Sequence, residues 1–541
     1  MNIKKRNIMN IKKRKLPLTL SIASLIISAA CASADTLYWV DSTTYFNAAA
    51  SGKIEGTGNI WDIGRDFSSA EKSKYSDAYN WATDYTIKEV KVSSESGETT
   101  YYVPEYIYAS PVVAPNENTD VYFKFTDFSQ GDSSVGYRYR IAGSPSLSAD
   151  ITIKSLTIEN ANDNWLMFKT NGHDLTIKED LTYSSSAVAY IGSDTRTNIY
   201  VGGSVNMRGI GTSVWNALRI GNDGVNSIKI GGDIVFQDKD GRVQLATAGA
   251  ATTFATPQSV VSGIVDFSGY ASRLDLGRAG KDGVEQFYAF GGLSGANSGA
   301  IISTGAEAGA NGLNSTLVLK NAADAEFAGM VTNPVTAGDS DGSAITTCVN
   351  IVMDGSAKQV LSGDNAFSGY IQVENGTLVL RTASGASHGK LTINGGKIGA
   401  ITNITVSSAE WNGGGISFNN SGEASANETP ETITIKGDFL KSGAGKIMMD
   451  FNNFNTYGLV DEDIWFDLIY VDGETLGFAD DANDDFYATN LDTYADFQWV
   501  DGEDGLGKVL QVSFTSVPEP AELAIVIGAI ALSMAVFLRR R

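Results

Sequence analysis

Two histidines and two cysteines in 541 residues leave little material for the commonest nucleophilic, acid–base and metal chemistries. His173 follows Asn171-Gly172 in an expected turn, and His388 lies in Ser384-Gly385-Ala386-Ser387-His388-Gly389. Neither has a second histidine at metal-ligand spacing or an evident Ser or Cys nucleophile beside it. Cys31 falls within the N-terminal leader described below, so Cys348 is the only cysteine of the remaining chain, and no intramolecular disulfide can brace it. Set in Ile345-Thr346-Thr347-Cys348-Val349, it reads as a small buried strand residue. Basic residues are also in deficit, 40 against 62 acidic, for a formal net charge of −22. Such a surface repels nucleic acid and anionic membranes and suits solubility, divalent cations or neutral polysaccharides. No stretch between the two termini keeps a period near 3.6, which excludes a helical domain there.

Short alternations of β-branched and polar residues are abundant, with 58 glycines and only 10 prolines as punctuation. This pattern predicts strands separated by turns and a mature chain that is almost all-β. The segment from Ile191 to Val205 aligns without a gap on Ile220 to Ile234, an offset of 29 residues. Leu175 to Leu181 fits the second half of that unit at an offset of 24. Leu276-Gly277 with Tyr288 to Leu293 continues the series, and shorter echoes appear at Leu391 to Gly396 and Ile433 to Phe439. In each unit, apolar residues at i and i+2 share one strand face. The following Gly-Gly or Gly-Asp is expected to bend through φ > 0. One unit has too little surface for a core of its own, whereas stacked copies bury a continuous one. A β-sandwich also places strands every 8 to 12 residues, but ungapped similarity of neighbouring units favours a parallel β-solenoid.

Lys358 to Leu380 resembles the autotransporter-associated β-strand repeat. The matching residues are Leu361, Ser362-Gly363, Asn365, Phe367 two residues before Gly369, Asn375-Gly376-Thr377-Leu378 and the aliphatic pair Val379-Leu380. Phe327-Ala328-Gly329 and Thr316 to Leu319 repeat parts of it. The resemblance implies a right-handed β-helix of passenger type. No series of amphipathic barrel strands follows at the C-terminus, so export would need separate machinery.

Both termini carry targeting patterns. Met1 to Lys15 holds seven basic residues and no acidic one, Leu16 to Ala30 is apolar, and Ala32-Ser33-Ala34 precedes Asp35. This is a secretory signal with cleavage after Ala34 and small residues at Ala32 and Ala34. Met1 to Arg6 recurs as Met9 to Arg14, so either methionine could start the chain. At the other end stand Val517-Pro518-Glu519-Pro520, an uncharged run from Leu523 to Leu538, and Arg539-Arg540-Arg541. As a helix that run would be roughly 24 Å long, short of the ~30 Å hydrocarbon core unless the arginines snorkel. The tail resembles the PEP-CTERM sorting signal of Gram-negative bacteria, which implies processing near Val517–Pro520 by an exosortase-type membrane protease. A permanent tail anchor would explain the helix and arginines but not the Val-Pro-Glu-Pro spacing. Without leader and tail, 30 basic and 60 acidic residues remain, a net charge of about −30.

The aromatic-aspartate clusters Tyr38 to Asp41, Trp61-Asp62 and Asn80 to Thr83 suggest a cap on the solenoid end, and Val509 to Phe514 an alternating strand pairing with its last coil. The expected organisation is therefore a signal helix in 1–34, an aromatic-rich cap in 35–149 and solenoid repeats in 150–440, with the passenger-type repeat near 358–380. A C-terminal β cap in 441–516 and a sorting tail in 517–541 follow, the latter with a single transmembrane helix at 523–538. Acidic groups such as Asp461-Glu462-Asp463, Asp480-Asp481 and Asp484-Asp485 could take calcium through oxygen ligands, but solvated turns are the simpler reading. Asp238-Lys239-Asp240-Gly241 is half an EF-hand loop without its distal Glu. Trp165, Trp215 and Trp411 could stack on sugars or sit in the core, and core is favoured. Neither a cofactor nor catalytic residues are expected. The functional expectation is a non-enzymatic structural protein of the cell surface or extracellular matrix. Its partners would be Sec export machinery, the exosortase during transient inner-membrane insertion, and extracellular polysaccharide. An adhesin or carbohydrate-binding protein is the alternative. A β-helix polysaccharide lyase or glycoside hydrolase, with paired carboxylates on one face, comes third.

Overall fold

A computed structural model of the chain describes most of residues 147–515, the longest intervening gaps being 210–216, 278–284, 305–313, 334–346, 419–429 and 452–463, together with 115–125, isolated strands between 36 and 140, and 530–534 and 538–539. The signal segment and the motif Val517–Pro520 lie outside the described residues. So do Trp165, Trp215, Asp238–Asp240 and Asp461–Asp463.

The fold is all-β, with long parallel sheets wound as coils. Leu175–Ile177 belongs to a first face, Leu181–Ser185 to a second and Ala189–Ile191 to a third, after which Thr197–Val201 returns to the first. The first face is a sheet of 13 strands from Ile151–Ile153 to Thr475–Leu476. At ~4.8 Å between strands it extends on the order of 60 Å. The second and third faces begin as sheets of nine and seven strands and continue as sheets of seven and five. Isolated parallel bridges Gly295↔Phe327, Thr332↔Ala366 and His388↔Val406 lie at the changeover. At the N-terminal end, Thr36–Trp39 pairs parallel with Asp120–Phe125 and antiparallel with Trp81–Ala82. At the other end, Lys508–Thr515 turns antiparallel against Phe466–Val471 and Tyr494–Asp501, pairing the strand expected at Val509 to Phe514 with a late coil.

The offsets read from the repeat are the structural register. Ile191 pairs with Ile220, Ile199 with Ile228 and Val205 with Ile234, while Leu175 pairs with Ile199 and Leu181 with Val205. Coil length then shortens to 20 residues, from Ile351 to Ile371 and from Ile371 to Leu391. These tightest turns of the helix contain the passenger-type repeat. Its partial echoes fall elsewhere. Thr316–Leu319 runs along the first face, paired with Asn350–Met353, whereas Thr377–Leu380 belongs to the second-face sheet. The echo at Ile433–Phe439 is also displaced: its two strands join the third and first faces, not the first and second as Leu175–Leu181 does. Apolar alternation and a tight corner are common to every face, so the motif encodes a corner without saying which.

The corner glycines differ from expectation. Gly202, Gly203, Gly231 and Gly232 do not take positive φ; that conformation is held by Gly192 and Gly221, which follow the isoleucines of the third face. A Cβ at Gly202 would lie 2.2 Å from the Lys178 carbonyl oxygen, and one at Gly231 2.3 Å from that of Gly202. Close approach of successive backbones is what demands glycine there.

Inside the coils, each row of side chains continues through its neighbours. Phe123, Ile158, Tyr183, Met207 and Phe236 form one such row on the second face, all buried. Phe236 stacks on Phe267 at 4.8 Å, and Phe267 meets Phe327 at 4.9 Å where that face changes sheets. Trp411 is also inward and buried, its Nε1 donating to the Gly414 carbonyl at 3.1 Å. Ile228 sits fully buried between Ile199 and Ser259. Ile228→Ala should cost about 3 kcal/mol, seen as a lower urea midpoint, while Tyr200→Ala on the exposed side of the same sheet should stay within about 0.5 kcal/mol.

Candidate functional site

Four groups of polar side chains stand out from the solenoid pattern. The first explains much of the acidity. Asp180 and Asp233 each stand immediately before or just ahead of a new strand, and each carboxylate accepts a backbone N–H from the next coil, from Ser204 and Ile264, both at 2.8 Å. Asp438 does the same for Glu474 at 2.9 Å, at a different corner. Asp150 accepts from Asp174, Asp174 from Asn198 and Asp324 from Lys358, at 3.0, 2.8 and 2.9 Å. Solvated turns are thus also coil-to-coil staples, since a carboxylate accepting an amide N–H is a charge-assisted bond. Farther on, Asp481 caps the short helix Ala482–Asp485, and Asp485 pairs with Lys441 at 2.9 Å.

The second group is the passenger-type repeat itself. Asn365 is fully buried. Its Oδ1 accepts from the Val331 N–H at 2.8 Å, and its Nδ2 donates toward the carbonyls of Leu361, Gly363 and Arg381 at 3.0, 2.8 and 2.8 Å. One side chain thereby ties three coils together. A Cβ at Gly363 would lie 2.0 Å from the Gly329 oxygen, which explains the glycine of Ser362-Gly363. Gln359, also fully buried, was not legible as special. Its amide accepts from the Leu293 N–H and donates to the Leu293 carbonyl, both at 3.0 Å, taking the place of a strand partner where the second face changes sheets. A glutamine inside an alternating strand gave no signal beyond its polarity at an inward position. Asn365→Ala should leave several buried backbone groups unpaired and cost about 3 kcal/mol or more, measured as a loss in chemical denaturation.

His388 belongs to the same region. Its ring lies 4.3 Å from that of Phe367, its Nδ1 donates to the Phe367 carbonyl at 2.8 Å, and its Nε2 faces the Thr382 hydroxyl at 3.2 Å. A carbonyl can only accept, so the neutral ring carries its proton on Nδ1 and Nε2 accepts from Thr382. Burial pushes its pKa down, against a smaller opposing effect of the Phe367 bond. The unfolded chain therefore takes up a proton near pH 6.5 that the folded chain refuses, and acidification through that range favours unfolding. The urea midpoint should fall between pH 7.5 and 5.5, and His388→Gln should flatten that fall.

The third group is outward on the first face. Glu285 Oε1 accepts from Tyr370 Oη at 2.6 Å, from Asn350 Nδ2 at 3.0 Å and from the Thr316 hydroxyl. Cys348 is beside it, and contrary to expectation it is only partly buried. Its strand turns Val349, Ile351 and Met353 inward and so leaves Cys348 outward, with Sγ donating to Asn314 Oδ1 at 3.2 Å. Burial first, then the Glu285 charge, pushes the thiol pKa up. Burial and the Glu285 contacts push the Tyr370 phenol up as well. Both groups are protonated donors at neutral pH, suited to holding the strands together and unsuited to nucleophilic attack.

The fourth group, Arg242, Arg273 and Asp275, lies outward on the third face, with Asp275 fully buried between the two arginines. Among the described residues, no three His, Cys, Asp or Glu side chains converge as metal ligands. His173 occupies the expected turn after Asn171 and Gly172, both at positive φ. In the tail, 530–534 and 538–539 are helical, and Ile530, Leu532, Met534 and Leu538 are exposed. No described helix is long and apolar enough to cross a membrane; most of 523–538, with Arg540 and Arg541, lies outside the described residues. The class of protein defined by this geometry is a parallel β-solenoid. No family model matches the chain, and no curated protein matches it significantly.

Proposed function

We propose that the chain is an exported structural protein of a bacterial cell surface or extracellular matrix, delivered by a cleavable leader and sorted by its tail. The observation that carries this reading is the order Val517-Pro518-Glu519-Pro520, apolar run, Arg539-Arg540-Arg541 at one end, with Ala32-Ser33-Ala34 closing a basic-then-apolar leader at the other. The fold supports it: stacked coils supply a long, stiff body with no need of disulfides, and the carboxylate staples leave an acidic surface. In this reading the coils wind right-handed, as parallel crossovers do, and the segments 35–149 and 441–516 cap the stack against edge-to-edge pairing. Sec machinery carries the chain across the inner membrane, the hydrophobic tail holds it there briefly, and an exosortase-type protease cuts near Val517–Pro520. The mature body then sits in extracellular polysaccharide.

Fractionation checks the sorting directly. The intact chain should leave the inner membrane shortened by its tail, whereas Pro518→Ala with Pro520→Ala should accumulate there at full length. Retention of both forms in the inner membrane at full length would sink the proposal in favour of a permanent anchor.

A further inference from the structure

Five outward residues of the third face lie in register on successive coils: Tyr190, Arg219, Gln244, Asp275 and Ser303. Arg242 and Arg273 pair directly across neighbouring strands in the adjacent outward row. Asp275 Oδ1 accepts from Arg273 Nε at 2.6 Å, and its Oδ2 accepts from Arg242 Nε. The carboxylate is sealed, but the arginine side chains keep 20% and 36% of their exposure. Two cations therefore share one anion. Each guanidinium is anchored through Nε, and no other described residue bonds or ion-pairs with their terminal nitrogens. A third guanidinium, Arg219, lies on the same face, 4.6 Å over the Tyr190 ring. This is a local cationic excess on a chain whose net charge is −22.

We propose that Arg242 and Arg273 form a binding site for the carboxylate groups of an acidic polysaccharide. The terminal N–H groups of arginine match a carboxylate in two-point geometry, and anchoring both guanidiniums on Asp275 orients them in advance, which lowers the entropic cost of binding. Long-range repulsion between the acidic body and a polyanion is screened beyond ~8 Å at physiological salt, so contact is decided by the local excess of positive charge. The proposal deepens the matrix reading given above, which supplies the source of the ligand.

Calorimetry on the full-length chain in mild detergent tests it, with tetragalacturonate as probe and cellotetraose and inorganic sulfate as comparators. Tetragalacturonate should bind saturably and more weakly as salt rises, and cellotetraose should not bind. Arg242→Gln and Arg273→Gln should each weaken binding by about tenfold or more. Arg273→Lys, which keeps a cation beside Asp275 and so preserves the fold, should fall between wild type and Arg273→Gln. Absence of tetragalacturonate binding, or affinity unchanged in the two glutamine variants, overturns the site. Equal affinity for sulfate and tetragalacturonate overturns the polysaccharide assignment. Fractionation reads sorting independently, so either reading can fail while the other stands.

Discussion

Parallel pairing between successive coils transmits register, and everything else in this chain obeys that transmission. Once Leu175 is opposite Ile199, every residue of the strand is assigned to the inside or the outside of the stack. An inward apolar position in one coil then commits the next coil to an apolar residue at the same height. A slip of one residue would turn Ile199 and Val201 outward and Tyr200 inward, exchanging buried aliphatic area for a buried phenol. Burial of an aliphatic side chain is worth ~1.5–3 kcal/mol, so the penalty repeats along the strand. This accounts for the strict offsets preserved despite coils of very different length.

Variation is confined to places where register is not set. Loops inserted at the corners lengthen a coil without altering the pairing on either side, and their closure entropy grows only slowly with length. Where the second face passes from one sheet to another, backbone pairing alone does not bridge the change. Buried amides supply the missing partners there: Gln359 for Leu293, and Asn365 for Val331. The passenger-type repeat reads in this light as a set of joints, with Asn365 as the tie, Gly363 as the clearance and Phe367 as the plug against His388.

Much of this was legible before any coordinates. Ile191 to Val205 against Ile220 to Ile234 disclosed the stacking register, because a 29-residue offset with unbroken apolar alternation has few other physical meanings. The face on which an echo falls was not legible, as Ile433 to Phe439 demonstrates, because all corners use the same chemistry. The role of the paired glycines was misassigned for a related reason: a sequence records that a side chain is missing without recording whether torsion or clearance forbids it. Cys348 was read as buried from its β-branched neighbours, but a strand has two sides and the inward phase was set by Val349 and Ile351. The carboxylates of Asp180 and Asp233 were read as solvent-facing because their partners lie a whole coil away.

Those aspartates give the stack a direction. In each of the six cases, Asp150, Asp174, Asp180, Asp233, Asp324 and Asp438, the acceptor stands on the earlier coil and the N–H on the later one. A chain that emerges N-terminus first therefore presents, at its growing end, acceptors already in place for amides that have yet to arrive. Each finished coil is a jig for its successor, and assembly proceeds as a ratchet from the N-terminal side, gaining its staples one turn at a time.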